Sequence, residues 1–157
     1  MSEEATQEFD EQRIREAADA LFKGGTIADI KGLSDDELET IYALGYNLYT
    51  TGQLKDADTV FRYLVFIDHT NAKYWIALGA VQQLNREFAN AVTSYGFASF
   101  LDIHNPKPQY HAAECLLALG DKEKAESALA ALDLYAPPDS PYRAKAEALS
   151  KKIQAGD

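Results

Sequence analysis

Three consecutive stretches of 34 residues superimpose without insertion in this 157-residue chain. Leu44-Gly45, Leu78-Gly79 and Ala112-Ala113 stand one period apart, as do Ala57, Ala91 and Ala125, and as do the bulkier Phe61, Tyr95 and Leu129. Small residues recurring at one phase, with large ones four positions later, are what stacked helical hairpins need where two helices cross closely. Each such unit leaves an apolar face that only its neighbour covers. The period therefore predicts an all-α array, with terminal helices closing its ends.

Local signals place the helices. Phe9, Ile14, Ala17, Ala18, Leu21 and Phe22 fall at helical spacing, and Gly24-Gly25 ends that run. Thr26 to Ile30 reads as one short turn. Ser34 and Glu37 form a capping box, with Leu33 and Leu38 as its hydrophobic staple. Leu38 to Asn71, Ala72 to Asn105 and Pro106 to Asp139 are the three repeats, with hairpin turns at Gly52 and Gly120-Asp121. Asn71 and Asn105 suit N-caps, and Pro106 suits a first helical turn. Pro137-Pro138 stops the third repeat, and Ser140-Pro141 opens a last helix to about Gln154, whose Lys and Arg residues cover the end of the stack. The expectation is eight helices and no strand, in three parts: an N-terminal helical segment (1–33), the repeats (34–139 with their cap; 38–71, 72–105, 106–139) and a C-terminal capping helix (140–157).

Charge and composition exclude several functions. Lys and Arg number 15 against 25 Asp and Glu, a net charge of −10, which disfavours non-specific nucleic-acid binding. No apolar run reaches the length of a membrane span, and the acidic start, MSEEATQEFDEQ, lacks a secretory layout. One cysteine, Cys115, allows no internal disulfide and suits a reducing cytosol. No phosphate-binding loop or nucleophile elbow is present. His111 and Cys115 share a helix face, but no third ligand accompanies them. His69 and His104 sit at repeat ends beside Asp68 and Asp102 with too few ligands for a metal. No catalytic residue, metal site or cofactor is expected, so the chain reads as a binding protein.

The period and the residues at it resemble the tetratricopeptide repeat, whose pattern runs W-x2-L-G-x2-Y, then Ala, Phe and Pro. Trp75 stands where that repeat favours tryptophan. The resemblance implies a right-handed superhelix in which the first helix of each hairpin lines a concave groove. It assigns Ile41, Leu44, Gly45 and Leu48 to the core. It assigns Tyr42, Tyr46 and Tyr49 to the groove, followed by Lys73, Ile76, Ala77, Ala80 and Gln83, then Tyr110, His111 and Glu114. Spacing alone would put a stripe such as Tyr42, Tyr46 and Tyr49 in the core; the core positions of that helix are already taken. Such a groove is an apolar channel with polar edges, fit for an extended peptide. A carboxylate clamp for acidic C-termini would need basic and amide residues where this chain has Tyr42, Tyr46, Ala77, Lys107 and His111. Only Lys107 matches, and one lysine is too few donors.

The flanking segments narrow the likeness. Gly24-Gly25-Thr26-Ile27-Ala28, the run from Leu38 to Tyr49, Ile67-Asp68-His69, His111 to Leu117 and Lys124 to Ser127 resemble the class II chaperones of bacterial type III secretion. The similarity spans roughly residues 10 to 135. It implies a non-enzymatic protein of the bacterial cytoplasm that holds an extended N-terminal segment of hydrophobic translocator proteins in its groove. It also implies a homodimer formed through the N-terminal helical region, for which Phe9, Ile14, Ala18, Leu21 and Phe22 are the candidate contacts. Phe9, Leu21 and Phe22 could instead pack on the first repeat and cap it. A general repeat scaffold joining partners in some other complex is the alternative function.

Overall fold

The computed structural model describes residues 3–156, with side chains from Gln12 onward. All its elements are helices: α1 (Glu3–Phe22), α2 (Ile27–Lys31), α3 (Asp35–Thr50), α4 (Leu54–Ile67), α5 (Ala72–Leu84), α6 (Phe88–Leu101), α7 (Pro106–Ala118), α8 (Lys122–Tyr135) and α9 (Pro141–Ala155). That is one helix more than the eight expected. Ile27–Lys31 is helical because both its ends are capped: Thr26 and Asp29 exchange hydrogen bonds at the start, and Gly32 closes it in the left-handed region at φ 67°. α1 starts at Glu3, ahead of the start expected near Phe9.

The sequence signals for the other helices hold. The Ser34 hydroxyl accepts from the Glu37 N–H at 3.3 Å, and the Glu37 carboxylate accepts from the Ser34 N–H at 2.8 Å. Leu33 and Leu38 pack in the same cluster, as a staple requires. Asn71 and Asn105 cap α5 and α7 by accepting from the N–H groups of Lys73 and Lys107, each at 3.1 Å. Three hairpins result, α3–α4, α5–α6 and α7–α8, each packed on the next.

The periodic residues form the core. Ala57, Ala91 and Ala125 are fully buried, and Phe61, Tyr95 and Leu129 are nearly so. Helix crossings explain the small residues. A Cβ added at Gly45 would lie 2.8 Å from the Phe61 ring, and one at Gly79 would lie 2.7 Å from Tyr95. A buried hydrogen bond from the Ser94 hydroxyl to Gln82 (2.7 Å) joins α5 to α6. Trp75 packs outside this core: its ring stacks on Phe97 at 4.6 Å, and its indole N–H donates to the His69 carbonyl.

The two ends of the stack differ from expectation. Leu44, assigned to the core, is 54% exposed. The matching residues Leu78 and Ala112 are buried because the outer helix of the preceding hairpin lies over them. Among the described residues no preceding helix covers Leu44 in that way; α2 instead sets Ile27 and Ala28 against the core of the first hairpin. α1 packs only lightly on α2, and Ile14, Leu21 and Phe22 stay outside the core clusters and exposed. Leu21 and Phe22 therefore do not cap the first repeat; Phe9 lies outside the residues whose side chains are described. At the other end, the expected cover of Lys and Arg is instead apolar: Ala146, Leu149 and Ile153 of α9 pack with Leu129 and Leu132. Arg143 fastens that helix through Asp133 (2.7 Å) and the carbonyls of Ala136 (2.7 Å) and Pro137 (3.1 Å).

Candidate peptide-binding face

The first helices of the hairpins touch one another along one side, and the predicted groove residues lie there. On α3, seven residues make two helical turns, so Tyr42, Tyr46 and Tyr49 align. Their rings follow one another at 6.4 and 6.3 Å between centroids. Tyr42 is anchored from below by Phe61 (5.6 Å) and by the buried Tyr74 of α5 (6.0 Å), so this stripe rests on the core without belonging to it. Tyr46 is 54% exposed, while Tyr42 and Tyr49 are half-buried. Burial, with Glu39 adding to it, raises the Tyr42 phenol above its ordinary value, so the ring stays neutral with its hydroxyl able to donate. Lys73 reaches back from α5. Its Nζ lies 2.7 Å from Glu39 and 3.8 Å from the Tyr42 ring centroid.

On α5, Ile76, Ala77 and Ala80 are half-buried and give the middle of the face a low apolar relief. Gln83 begins a polar network toward α7. Its Nε2 donates to Glu114 at 3.1 Å, and its Oε1 accepts from the Tyr95 hydroxyl at 2.8 Å. The Glu114 carboxylate also pairs with His111 Nδ1 at 2.8 Å. Hydrogen bonding from His111, helped by that from Gln83, outweighs burial and holds Glu114 below the usual carboxylate range. The structure thus gathers the predicted residues into two clusters, a tyrosine stripe and a polar network, bridged by small residues of α5.

Sequence reasoning missed the fourth wall. Tyr142 of α9 lies 5.5 Å from the Tyr110 ring and 6.2 Å from His111, edge-on to both. Lys145 places its Nζ over the Tyr142 ring at 4.8 Å and over Tyr110 at 6.0 Å. α9 is therefore part of this face as well as a cap. Extending the 34-residue register past the third repeat would have found it: Tyr142 falls two periods after Tyr74, and it meets Tyr110 as Tyr74 meets Tyr42.

Other chemistry is weak here. Burial pushes the Cys115 thiol up to about 11, which suppresses the thiolate. Among the described residues no group of three His, Cys, Asp or Glu is placed to hold a metal, and no helix is long and apolar enough to cross a membrane. A cleft of about 630 Å³ between α8 and α9 is open and lined by a mixture of charged and apolar residues. A shallow ring-lined face suits a strand-like peptide better than a small molecule.

Known proteins match this arrangement. Residues 38–71 and 85–149 each match a family model of the tetratricopeptide repeat. Low calcium response locus protein H of Yersinia pestis is 38% identical over 130 residues, which cover 82% of this chain and 76% of that protein. PcrH of Pseudomonas aeruginosa, solved in complex with the chaperone binding region of PopD, is 38% identical with a TM-score of 0.74, covering 79% of this chain and 96% of PcrH. The type III secretion translocator chaperone SycD of Yersinia enterocolitica is 34% identical with a TM-score of 0.69, covering 83% of this chain and 95% of SycD. With identity at this level running through the repeats and nearly the whole of each solved relative, this chain belongs to the tetratricopeptide-repeat family of type III secretion translocator chaperones.

Proposed function

We propose that this protein is a chaperone of the bacterial cytoplasm that holds an extended segment of a hydrophobic translocator protein against the face formed by α3, α5 and α7. The observation that carries this reading is the exposed ring stripe Tyr42, Tyr46 and Tyr49, in a chain of the same family as PcrH, which holds the chaperone binding region of PopD. An extended segment laid along it buries its apolar side chains at about 25 cal/mol per Å² of apolar area. The cost of ordering the segment offsets part of that gain and keeps binding reversible, as release before export requires. The half-buried Ile76, Ala77 and Ala80 leave room for the backbone to pass, and Lys73, Gln83, Tyr110, His111 and Glu114 supply polar edges.

The three parts of the chain divide the work. Residues 34–139 hold the cargo, and 140–157 close the stack and extend its inner face. Residues 1–33 serve self-association, with Ile14, Ala18, Leu21 and Phe22 of α1, and Phe9, as contacts. Support comes from apolar side chains left uncovered at that end, among them Phe22 at 92% exposure and Leu44 beside them in the stack order. A solved relative, SycD, has a structure described as an alternative dimer.

The test is co-expression with a translocator in a heterologous host. The translocator stays in the supernatant with the wild-type protein and pellets with the Tyr42→Ala/Tyr46→Ala/Tyr49→Ala variant, whose circular dichroism stays helical. Full rescue by that variant moves the site elsewhere; equal solubility with no chaperone at all ends the chaperone reading. Self-association is read by sedimentation, where a strictly monomeric mass at high concentration with residues 1–33 present removes the dimer.

A further inference from the structure

The inner face holds an ammonium at its first-repeat end in a particular way. Lys73 Nζ is gripped by the Glu39 carboxylate on one side and the Tyr42 ring on the other, at 2.7 and 3.8 Å. The third-repeat end presents the same two groups. Glu114 is a carboxylate held below its usual range and bonded by His111 and Tyr110, whose rings stand edge-on to each other and to that of Tyr142, 5.5 to 6.2 Å apart. What differs is the cation. Among the described residues no lysine or arginine pairs with Glu114; its partners are His111, Gln83 and the Tyr110 hydroxyl. Its side chain is still 36% exposed, so one side of the carboxylate is open. Lys145 rests on the neighbouring rings without reaching Glu114, which shows that these rings accept an ammonium.

We propose that this end of the face is a cation subsite, in which a lysine or arginine side chain of the bound segment sets its charge against Glu114 between Tyr110, Tyr142 and His111. The proposal rests on the reading of this face as the cargo groove, and adds a fixed polarity to it. Apolar side chains lie over Tyr42, Tyr46 and Tyr49, and a basic one lies over α7 and α9. A partly buried carboxylate beside aromatic rings binds a cation more strongly than a fully exposed carboxylate does. The chain's net charge of −10 favours a basic guest over an acidic one at long range.

The experiment uses a fluorescent peptide carrying the chaperone binding region of PopD, with each position replaced in turn by lysine, by norleucine and by glutamate. Binding to the full chain is read by anisotropy. At one position lysine binds about tenfold more tightly than norleucine. In Glu114→Gln that ratio falls to about one, whatever happens to the parent peptide, and in the wild type it shrinks as salt is raised. A ratio that survives Glu114→Gln, or a scan with no lysine gain, overturns the subsite. A gain from glutamate that Lys145→Met removes shows an anion site instead and also overturns it. The Tyr42→Ala/Tyr46→Ala/Tyr49→Ala variant separates the two readings, because it loses parent and scanned peptides alike. If that variant binds them all as the wild type does, or no peptide binds the wild type at all, the groove reading fails and the subsite with it.

Discussion

The two ends of this stack close differently, and one repeat position measures the difference. Leu44, Leu78 and Ala112 occupy the same place in successive repeats, yet they are 54%, 3% and 8% exposed. Their own hairpins are alike; what changes is the neighbour before them. At the far end α9 supplies the missing neighbour with Ala146, Leu149 and Ile153, and fastens itself through Arg143. At the near end α2 sets Ile27 and Ala28 against the core, while Ile14, Leu21 and Phe22 of α1 stay uncovered. A repeat array thus shows in its own chain what each interface contributes, since the terminal unit is a repeat with one interface removed. Among the described residues, the C-terminal end is the more completely covered of the two.

The sharpest way to break that comparison is to make the same truncation at both positions. Leu78→Ala should destabilise the protein by about 2–5 kcal/mol, because it empties a site closed on all sides. Leu44→Ala should cost less than about 1 kcal/mol, because water already reaches that side chain. Urea titrations followed by circular dichroism, at the lowest workable concentration, read both. A Leu44→Ala cost near that of Leu78→Ala would mean that something covers the open end even in the dilute protein.

A somewhat smaller effect is expected at the closed end. Ile153→Ala removes the last apolar anchor of α9 and should cost about 2–4 kcal/mol, toward the lower end if the C-terminal turn relaxes onto the gap. It should also expose the Leu129–Leu132 surface, which a rise in binding of an apolar dye would report. Arg143→Met comes next, at about 1 kcal/mol. It removes three hydrogen bonds, but the side chain is 30% exposed and water replaces part of what is lost. If Arg143→Met left the urea midpoint unmoved, the apolar contacts alone would be closing this end.

What could be read from the sequence divides along the same line. Caps, staples and turns depend on residues within five positions of one another, so Ser34 with Glu37, Asn71, Asn105 and Pro106 were all legible. The crossings were legible too, because the period repeats Ala57 over Phe61 and Ala91 over Tyr95. Leu44 was misassigned because its burial is decided by a helix that would have to come from outside the repeat, and no local pattern states whether α1 fulfils that role. The tyrosine stripe was found by subtraction from the core positions. Tyr142 and Lys145 were missed because the register was stopped at the third repeat, although α9 continues it.

The smallest effect tests the middle of the stack, where both interfaces are present. Gly52, Arg86 and Gly120 are one period apart and end the first helix of each hairpin, and all three take positive φ: 79°, 64° and 81°. A left-handed residue costs a side-chain-bearing amino acid about 1–2 kcal/mol, and glycine avoids most of that at the expense of some unfolded-state entropy. The outer repeats have glycine there, whereas the middle one carries the strain of an arginine. A full hairpin packs on each side of the middle repeat. Arg86→Gly should therefore stabilise the protein by about 0.5–1 kcal/mol, a modest rise in urea midpoint at unchanged slope. Gly120→Arg should lower the midpoint by more than Arg86→Gly raises it, since the third hairpin has α9 alone on one side, where the second has a full hairpin on each. Equal and opposite shifts would show that the turn acts locally and that the ends of this array are no more fragile than its centre.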